Sequence, residues 1–179
     1  MKNFEEKTIS SKEIFDGKVF KVKVDDVVLP DGSKSFRELV MHNGGVTVVA
    51  IEDEYIYMVR QYRKAVEKVV LEIPAGKLEV GENPKIGAIR ELEEEVGLLA
   101  SDLISLGVMY PTPAYCSEII YLYLATDFKK TKQHLDEGEF LNIEKYKIDD
   151  ILKMIDNNEI CDAKTICGIY KALSFLKNS

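Results

Sequence analysis

At 179 residues the chain is long enough for one domain of ordinary size with room for a small appendage, and 46% hydrophobic with 31% charged residues describes a globular chain rather than a disordered one. A net charge of −7 argues against a general nucleic-acid binder, which needs a basic surface, but leaves room for a small anionic substrate met by local arginines, lysines or a metal. The longest apolar run, IIYLYLA at 119–125, falls far short of the ~20 residues of a membrane helix, and the mixed-charge start MKNFEEKTISSK lacks the apolar core of a secretory signal.

The first forty residues read as short strands. KVFKVKVDDVVL (18–29) alternates weakly, PDGS (30–33) is a turn signal, and KSFRELV (34–40) resumes extended chain. GGVTVVAIEDEYIYMVRQYR (44–63) reads as a buried strand, an acidic turn at 52–54 and a second strand. VVLEIPAG (69–76) is a further short strand, ended by Pro74 and Gly76. A helix over 84–96 follows, with Asn83 as N-cap, Pro84 at its first position and Gly97 just past its end. LISLGVMY (103–110) and EIIYLYLATDF (118–128) read as strands, and ILKMIDNNEI (151–160) as a helix. Asp162 is placed to cap a last helix, on which Ile166, Ile169, Tyr170, Leu173 and Leu176 recur at helical spacing. No repeat, low-complexity tract or linker interrupts this order, and the pattern is mixed α/β without regular βαβ alternation. Cys116, Cys161 and Cys167 form no CxxC pair and cannot all pair within one chain, which points to thiols in a reducing cytoplasm.

The helix carries RELEEEVG (90–97), four glutamates in five positions. Like charges three or four apart cost a helix roughly 0.2–0.5 kcal/mol per pair. On a helical wheel Ile89, Leu92 and Val96 form an apolar stripe with Ala88 at its edge. Glu91 and Glu95 lie about 40° apart, with Glu94 about 60° to the other side of Glu91, roughly opposite that stripe, while Glu93 points elsewhere. Helix geometry alone favours a solvated acidic face; a cluster of three hard oxygen donors for Mg²⁺ or Mn²⁺ is the alternative.

The flanking residues tip the balance. In GKLEVGENPKIGAIRELEEEVGL (76–98), Gly76, Glu82, Arg90, Glu91, Leu92, Glu94, Glu95, Gly97 and Leu98 stand at fixed gaps. This resembles the Nudix box, the loop–helix–loop motif of pyrophosphate-cleaving hydrolases, at every defining position. The resemblance implies an α/β/α sandwich with a mixed sheet, plus a small N-terminal β subdomain over 1–42 and a Nudix hydrolase domain over 43–179. It implies that Glu91 and Glu95 are inner metal ligands, that Glu82 and Glu94 are further ones, direct or through water, and that the Ala75 carbonyl is a backbone ligand. Arg90 would hold Glu94, four residues on, and Leu92 and Leu98 would be core.

Outside the box, YPTP (110–113), with Pro113 sixteen residues past Gly97, is similar to the ADP-ribose pyrophosphatase branch. So are AYCSEII (114–120), VRQYRKAV (59–66), LEIPAGKLE (71–79) and DAKTICGIYKAL (162–173), so that the likeness runs from about residue 15 to 175. Ala114 stands where that branch frequently has glycine, which leaves the shape of this loop open. By this resemblance Arg63 binds phosphate, with Arg60 and Arg37 as weaker candidates, because a guanidinium fork suits a diphosphate. Glu38 would touch the adenosine side. Phe20 and Phe36 could stack on an adenine, though core packing is the plainer expectation. The catalytic base would come from HLDEGEFLNIEKY (134–146): Glu139 matches best, Glu137 is second, Glu94 is a further candidate, and His134 reads as a surface residue.

The implied reaction is Mg²⁺-dependent hydrolysis of ADP-ribose to AMP and ribose 5-phosphate by a homodimer whose N-terminal segment crosses to its partner. Another nucleoside diphosphate sugar, or a dinucleotide such as NADH or FAD, is the nearer alternative. A non-catalytic ADP-ribose sensor is the more distant one.

Overall fold

The computed structural model describes residues 4–178. Their contacts divide the chain into two units: residues up to Gly44 together with Tyr110–Ile119, and Gly45–Met109 together with the chain from Ile120 onward. A purely linear reading places 110–119 in the second unit.

In the first unit, β1 (Lys7–Asp16), β2 (Phe20–Val28) and β3 (Lys34–His42) form an antiparallel three-stranded sheet. Segment 110–119 lies along the end of β3: the Val40 N–H donates to the Tyr115 carbonyl at 2.8 Å, and the Ser117 N–H to the Val40 carbonyl at 2.9 Å. No helix belongs to this unit among the described residues, and every residue of β1 is exposed. Core packing was the expectation for Phe20 and Phe36; instead they are 41% and 59% exposed, on the face of the sheet opposite buried Asp25 and Val27.

The second unit is the sandwich expected from the sequence. Its main sheet runs β12 (Leu141–Lys147), β5 (Tyr55–Arg63), β4 (Gly45–Glu52), β10 (Ile120–Ala125), β9 (Ile104–Met109). The sheet is mixed: β4 and β10 are parallel and the other pairs antiparallel. Strand alternation sends Val46, Val48, Tyr57 and Val59 to one face, where they pack with Ala88, Leu92 and Val96 of α1 (Pro84–Val96). Val49, Ile51, Ile56 and Met58 go to the other, where Ile151 of α2 (Ile148–Asp156) and Ile169 and Ala172 of α3 (Ala163–Asn178) cover them.

The ends of α1 follow its sequence signals. The Asn83 side chain accepts the Lys85 N–H at 2.9 Å, Pro84 opens the helix, and Gly97 closes it at φ 67°. Asp162 caps α3 through the Thr165 N–H at 2.9 Å and hydroxyl at 2.6 Å.

One feature of the sheet positions the site. Strands β4 and β5 pair only beside their connecting turn, at Ile51↔Ile56 and Glu52↔Tyr55, and then part. The chain following β5 fills the fork: β6 (Lys68–Glu72) pairs with β5, and β7 (Ala75–Lys77) with β4. The sequence suggests one strand ending at Pro74 and Gly76. Pro74 instead marks a change of partner, its carbonyl accepting the Val48 N–H at 3.0 Å and the Thr47 hydroxyl at 2.8 Å. The reading of 118–128 as one strand is also revised: β10 ends at Ala125, and β11 (Phe128–Lys130) pairs separately with β8 (Leu98–Ala100).

Candidate active site

The fork brings β7 against α1, and the fit depends on a missing side chain. A Cβ on Gly76 would stand 1.9 Å from the Glu91 carboxyl carbon and 2.1 Å from both its oxygens. Only glycine lets that carboxylate lie against the backbone. One turn along, the Ala75 N–H donates to Glu95 Oε2 at 2.8 Å. Glu95 is 1% exposed. The wheel reading sets it roughly opposite the core, yet Glu95 lies seven residues from Ala88 and so only about 20° around the helix from it. It borders the packed face, and β7 closes over it.

Arg90 organises the outer carboxylates. Its Nε and Nη2 donate to the two oxygens of Glu82 at 3.0 and 3.1 Å, and its Nη1 to Glu91 at 2.9 Å and Glu94 at 2.8 Å. The expected Arg90–Glu94 pair is therefore one of three. Among the described residues no three carboxylate, imidazole or thiol groups are already gathered as a metal shell.

Electrostatics separate the inner pair from the outer. Burial pushes the Glu91 carboxyl up to about 7 against the pull of Arg90, and the charges of Glu94 and Glu139 add to the rise. Burial pushes Glu95 up to about 8 against the Ala75 N–H, with Glu91 and Glu139 adding again. Glu82, facing Arg90, is held below the usual carboxylate range. Two adjoining acids that resist ionisation, beside a glycine cradle, make a hard-oxygen donor set that fits a divalent cation.

Glu139 is part of this field. It is half-buried two residues before the start of β12, where Gln61 of β5 donates to it at a long 3.5 Å, while Glu137 and His134 are exposed. The buried Gln61 Oε1 has no partner among the described residues.

The arginine candidates part company. On β5, Arg63 and Gln61 continue the face of Tyr57 and Val59, toward α1; Arg60 continues that of Ile56 and Met58. Arg63 forms a two-point pair with Glu72, Nε to Oε1 at 2.7 Å and Nη2 to Oε2 at 2.8 Å, which raises its pKa, and its Nη1 has no hydrogen-bond partner among the described residues. Arg60 is committed on the opposite face to Glu144, at 2.8 and 3.0 Å, and to the Tyr146 hydroxyl, so the structure does not bring it to the carboxylate cluster. Arg37 and Glu38 lie on β3 in the other unit, with Arg37 bound to Glu6, Ser35 and the Phe36 carbonyl.

A family model described as NUDIX domain matches residues 41–167. The chain belongs to the NUDIX family. A second model, the nucleoside diphosphate sugar hydrolase N-terminal domain, matches residues 6–40. A Bacillus subtilis protein named ADP-ribose pyrophosphatase is 45% identical, the match covering 94% of this chain and 93% of the relative. A Bacillus methanolicus protein named methanol dehydrogenase activator is 46% identical, covering 94% and 92%. The crystal structure of an ADP compounds hydrolase superposes with a TM-score of 0.88 over 99% of this chain and 98% of that one, at 23% identity, which speaks to the fold.

Within this NUDIX chain, sequence reading passed over Gln61, Glu72 and Lys164. The signal for Glu72 is a lone charge between Leu71 and Ile73 in an apolar strand, where burial demands a partner. No local pattern distinguishes Lys164.

Two outcomes are expected. Gly76→Ala should displace the Glu91 carboxylate and lower hydrolytic turnover by about 10²-fold or more while the far-ultraviolet circular dichroism is retained. The second concerns pH. Glu91 and Glu95 bind protons more tightly folded than unfolded, since both rise from an ordinary 4.5. Stability should be fullest below pH 4.5 as far as these two groups are concerned, and fall as pH rises through 7 and 8. In chelator the melting temperature should drop on the order of 5 °C between pH 6 and 8.5. Glu95→Gln should flatten that slope, and Mg²⁺ should raise the melting temperature more at pH 8 than at pH 6, because protons compete with the cation.

Proposed function

We propose that this enzyme hydrolyses the diphosphate of ADP-ribose to AMP and ribose 5-phosphate, using Mg²⁺, with Mn²⁺ as an alternative. The observation that carries the proposal is the juxtaposition on one face of the sheet of buried Glu95 and part-buried Glu91, the nearby Glu139, and Arg63 with its Nη1 uncommitted. That pairs a cation-binding acid cluster with a phosphate-binding base. The name of the Bacillus subtilis relative supports ADP-ribose, and the N-terminal model at 6–40 supports a nucleoside diphosphate sugar. The name of the second relative describes an effect on another enzyme and leaves the substrate open.

Glu91 and Glu95, with Glu82, Glu94 and the Ala75 carbonyl, would hold the metal. A bound divalent ion neutralises diphosphate charge and makes water a stronger nucleophile. Arg90 keeps Glu82, Glu91 and Glu94 oriented. Arg63 Nη1 takes a phosphate oxygen. Glu139 accepts the proton of the water that attacks phosphorus, and Gln61 steadies that carboxylate by donating to it. Positioning and charge complementarity do most of the remaining work.

The test is ADP-ribose hydrolysis with and without Mg²⁺, run beside other nucleotide sugars, NADH and FAD. Glu139→Gln should lower kcat by roughly 10²–10⁴-fold with modest change in KM, and Glu137→Gln should cost less than about tenfold. The reverse ranking would move the role to Glu137. Small effects from both would mean activation of water by metal alone or by a glutamate of the box such as Glu94. Absence of ADP-ribose turnover at saturating Mg²⁺ would overturn the reading.

The working form is proposed to be a homodimer built through the N-terminal sheet. Ile9, Ile14 and Phe15 on β1, Phe20 on β2 and Phe36 on β3 are all more than 40% exposed, more apolar surface than a monomer's sheet ordinarily shows. Arg37 and Glu38 lie on this sheet, and in a dimer whose N-terminal segments cross they would serve the partner's substrate site. Light scattering should give twice the 20.3 kDa chain mass. A fully active monomer would exclude the arrangement. The cytoplasm is the proposed location, supported by three free cysteines. No helix among the described residues is long and apolar enough to cross a membrane.

A further inference from the structure

We infer that Lys164, in the first turn of α3, is a positioning residue for substrate: it anchors the Glu72 carboxylate, which in turn presents Arg63 to the diphosphate. The inference rests on the reading of Arg63 as a phosphate-binding group. Glu72 is 1% exposed and accepts from three donors on two elements, Arg63 Nε and Nη2 from β5 and Lys164 Nζ from α3. Its Oε2 is shared between the arginine and the lysine.

The lysine is itself held. Lys164 Nζ donates to Asp162 at 2.9 Å, Asp162 takes the Thr165 N–H and hydroxyl, and Thr165 Oγ1 accepts the Ile73 N–H at 3.0 Å. Ile73 follows Glu72 in the chain, so the hydrogen bonds close a ring that locks the end of β6 to the start of α3. A carboxylate fixed on both sides cannot swing, and neither can the guanidinium paired to it along the Nε–Nη2 edge. The exposed end of this arrangement is the arginine: its side chain is 40% exposed, against 14% for Lys164 and 2% for Glu72.

Helix electrostatics argue that Lys164 is not there for α3. The first turn of a helix favours anions, and a lysine there opposes the macrodipole. Its part-buried ammonium is matched instead to Glu72 and Asp162. Because Lys164 draws on the charge of Glu72, Arg63 is less completely neutralised than in an isolated pair and keeps more attraction for a diphosphate.

The experiment is a double-mutant cycle on the full chain with ADP-ribose and saturating Mg²⁺, with melting temperature measured for each variant. Arg63→Met should raise KM. Lys164→Met should raise KM about tenfold with kcat within about threefold, and Lys164→Arg should restore KM to within about threefold. On the Arg63→Met background, Lys164→Met should add less than about twofold, because the lysine acts through the arginine. The same tenfold rise on both backgrounds would overturn the inference, as would a normal KM in Lys164→Met when Arg63→Met is impaired. A normal KM in Arg63→Met itself would instead remove the phosphate-binding reading on which the inference stands. If Lys164→Met does not fold, Lys164→Gln, which keeps a donor to Glu72 without the charge, takes its place in the same cycle.

Discussion

A carboxylate withdrawn from water must meet a cation or a hydrogen-bond donor, or take up a proton. Helix α1 brings two into that position, and much of the second unit is arranged around them. Glu95 is met by one backbone N–H, from Ala75, and Glu91 by one edge of Arg90. Neither is fully compensated, and both carboxyls are pushed up by burial as a result. Such a pair is a standing demand for positive charge. It can be kept only where the surrounding backbone is rigid, and β7 is held by pairing with β4 and by the Pro74 carbonyl, which accepts from Val48 and Thr47.

The parting of β4 and β5 is what makes this possible. Two neighbouring strands that stayed paired would leave no room between them for the chain that carries Glu72, Ala75 and Gly76. Because they part, β6 and β7 fill the fork, and the backbone of β7 meets α1 from the sheet side. Gly87 in α1 answers the same crowding from the helix side: a Cβ there would stand 2.9 Å from Leu78 and 3.0 Å from the Glu82 carboxyl. Its cost in helix propensity, roughly 1 kcal/mol against alanine, is offset by that close approach.

The cations are distributed with equal economy. Arg90 serves three glutamates at once, and Arg63 and Lys164 share one. Arg60, three residues before Arg63 on the same strand, stands on the other face and is paired with Glu144 and Tyr146. On that face, away from α1, it ties β5 to β12. Arg63 stands on the face toward α1, where its Nη1 can meet a ligand.

Local sequence determined a good deal. Asn83, Pro84 and Gly97 bound α1 because capping chemistry acts over three or four residues. Asp162 starts α3 for the same reason. The spacing of glycine, arginine and glutamates in 76–98 identified the family motif, since those residues come from one loop and one helix. Tertiary structure decided what a single segment cannot contain. Whether Arg60 or Arg63 meets the glutamates depends on which face of β5 is covered by α1, and whether Phe20 and Phe36 are buried depends on whether anything covers their sheet. Glu95 is buried because β7 arrives from elsewhere in the chain. Glu72 and Lys164, ninety-two residues apart, meet only because β6 and α3 end at the same place. Periodicity reports the faces an element has; which partner covers each face, and which charges are thereby taken out of water, is settled only when distant segments pack together.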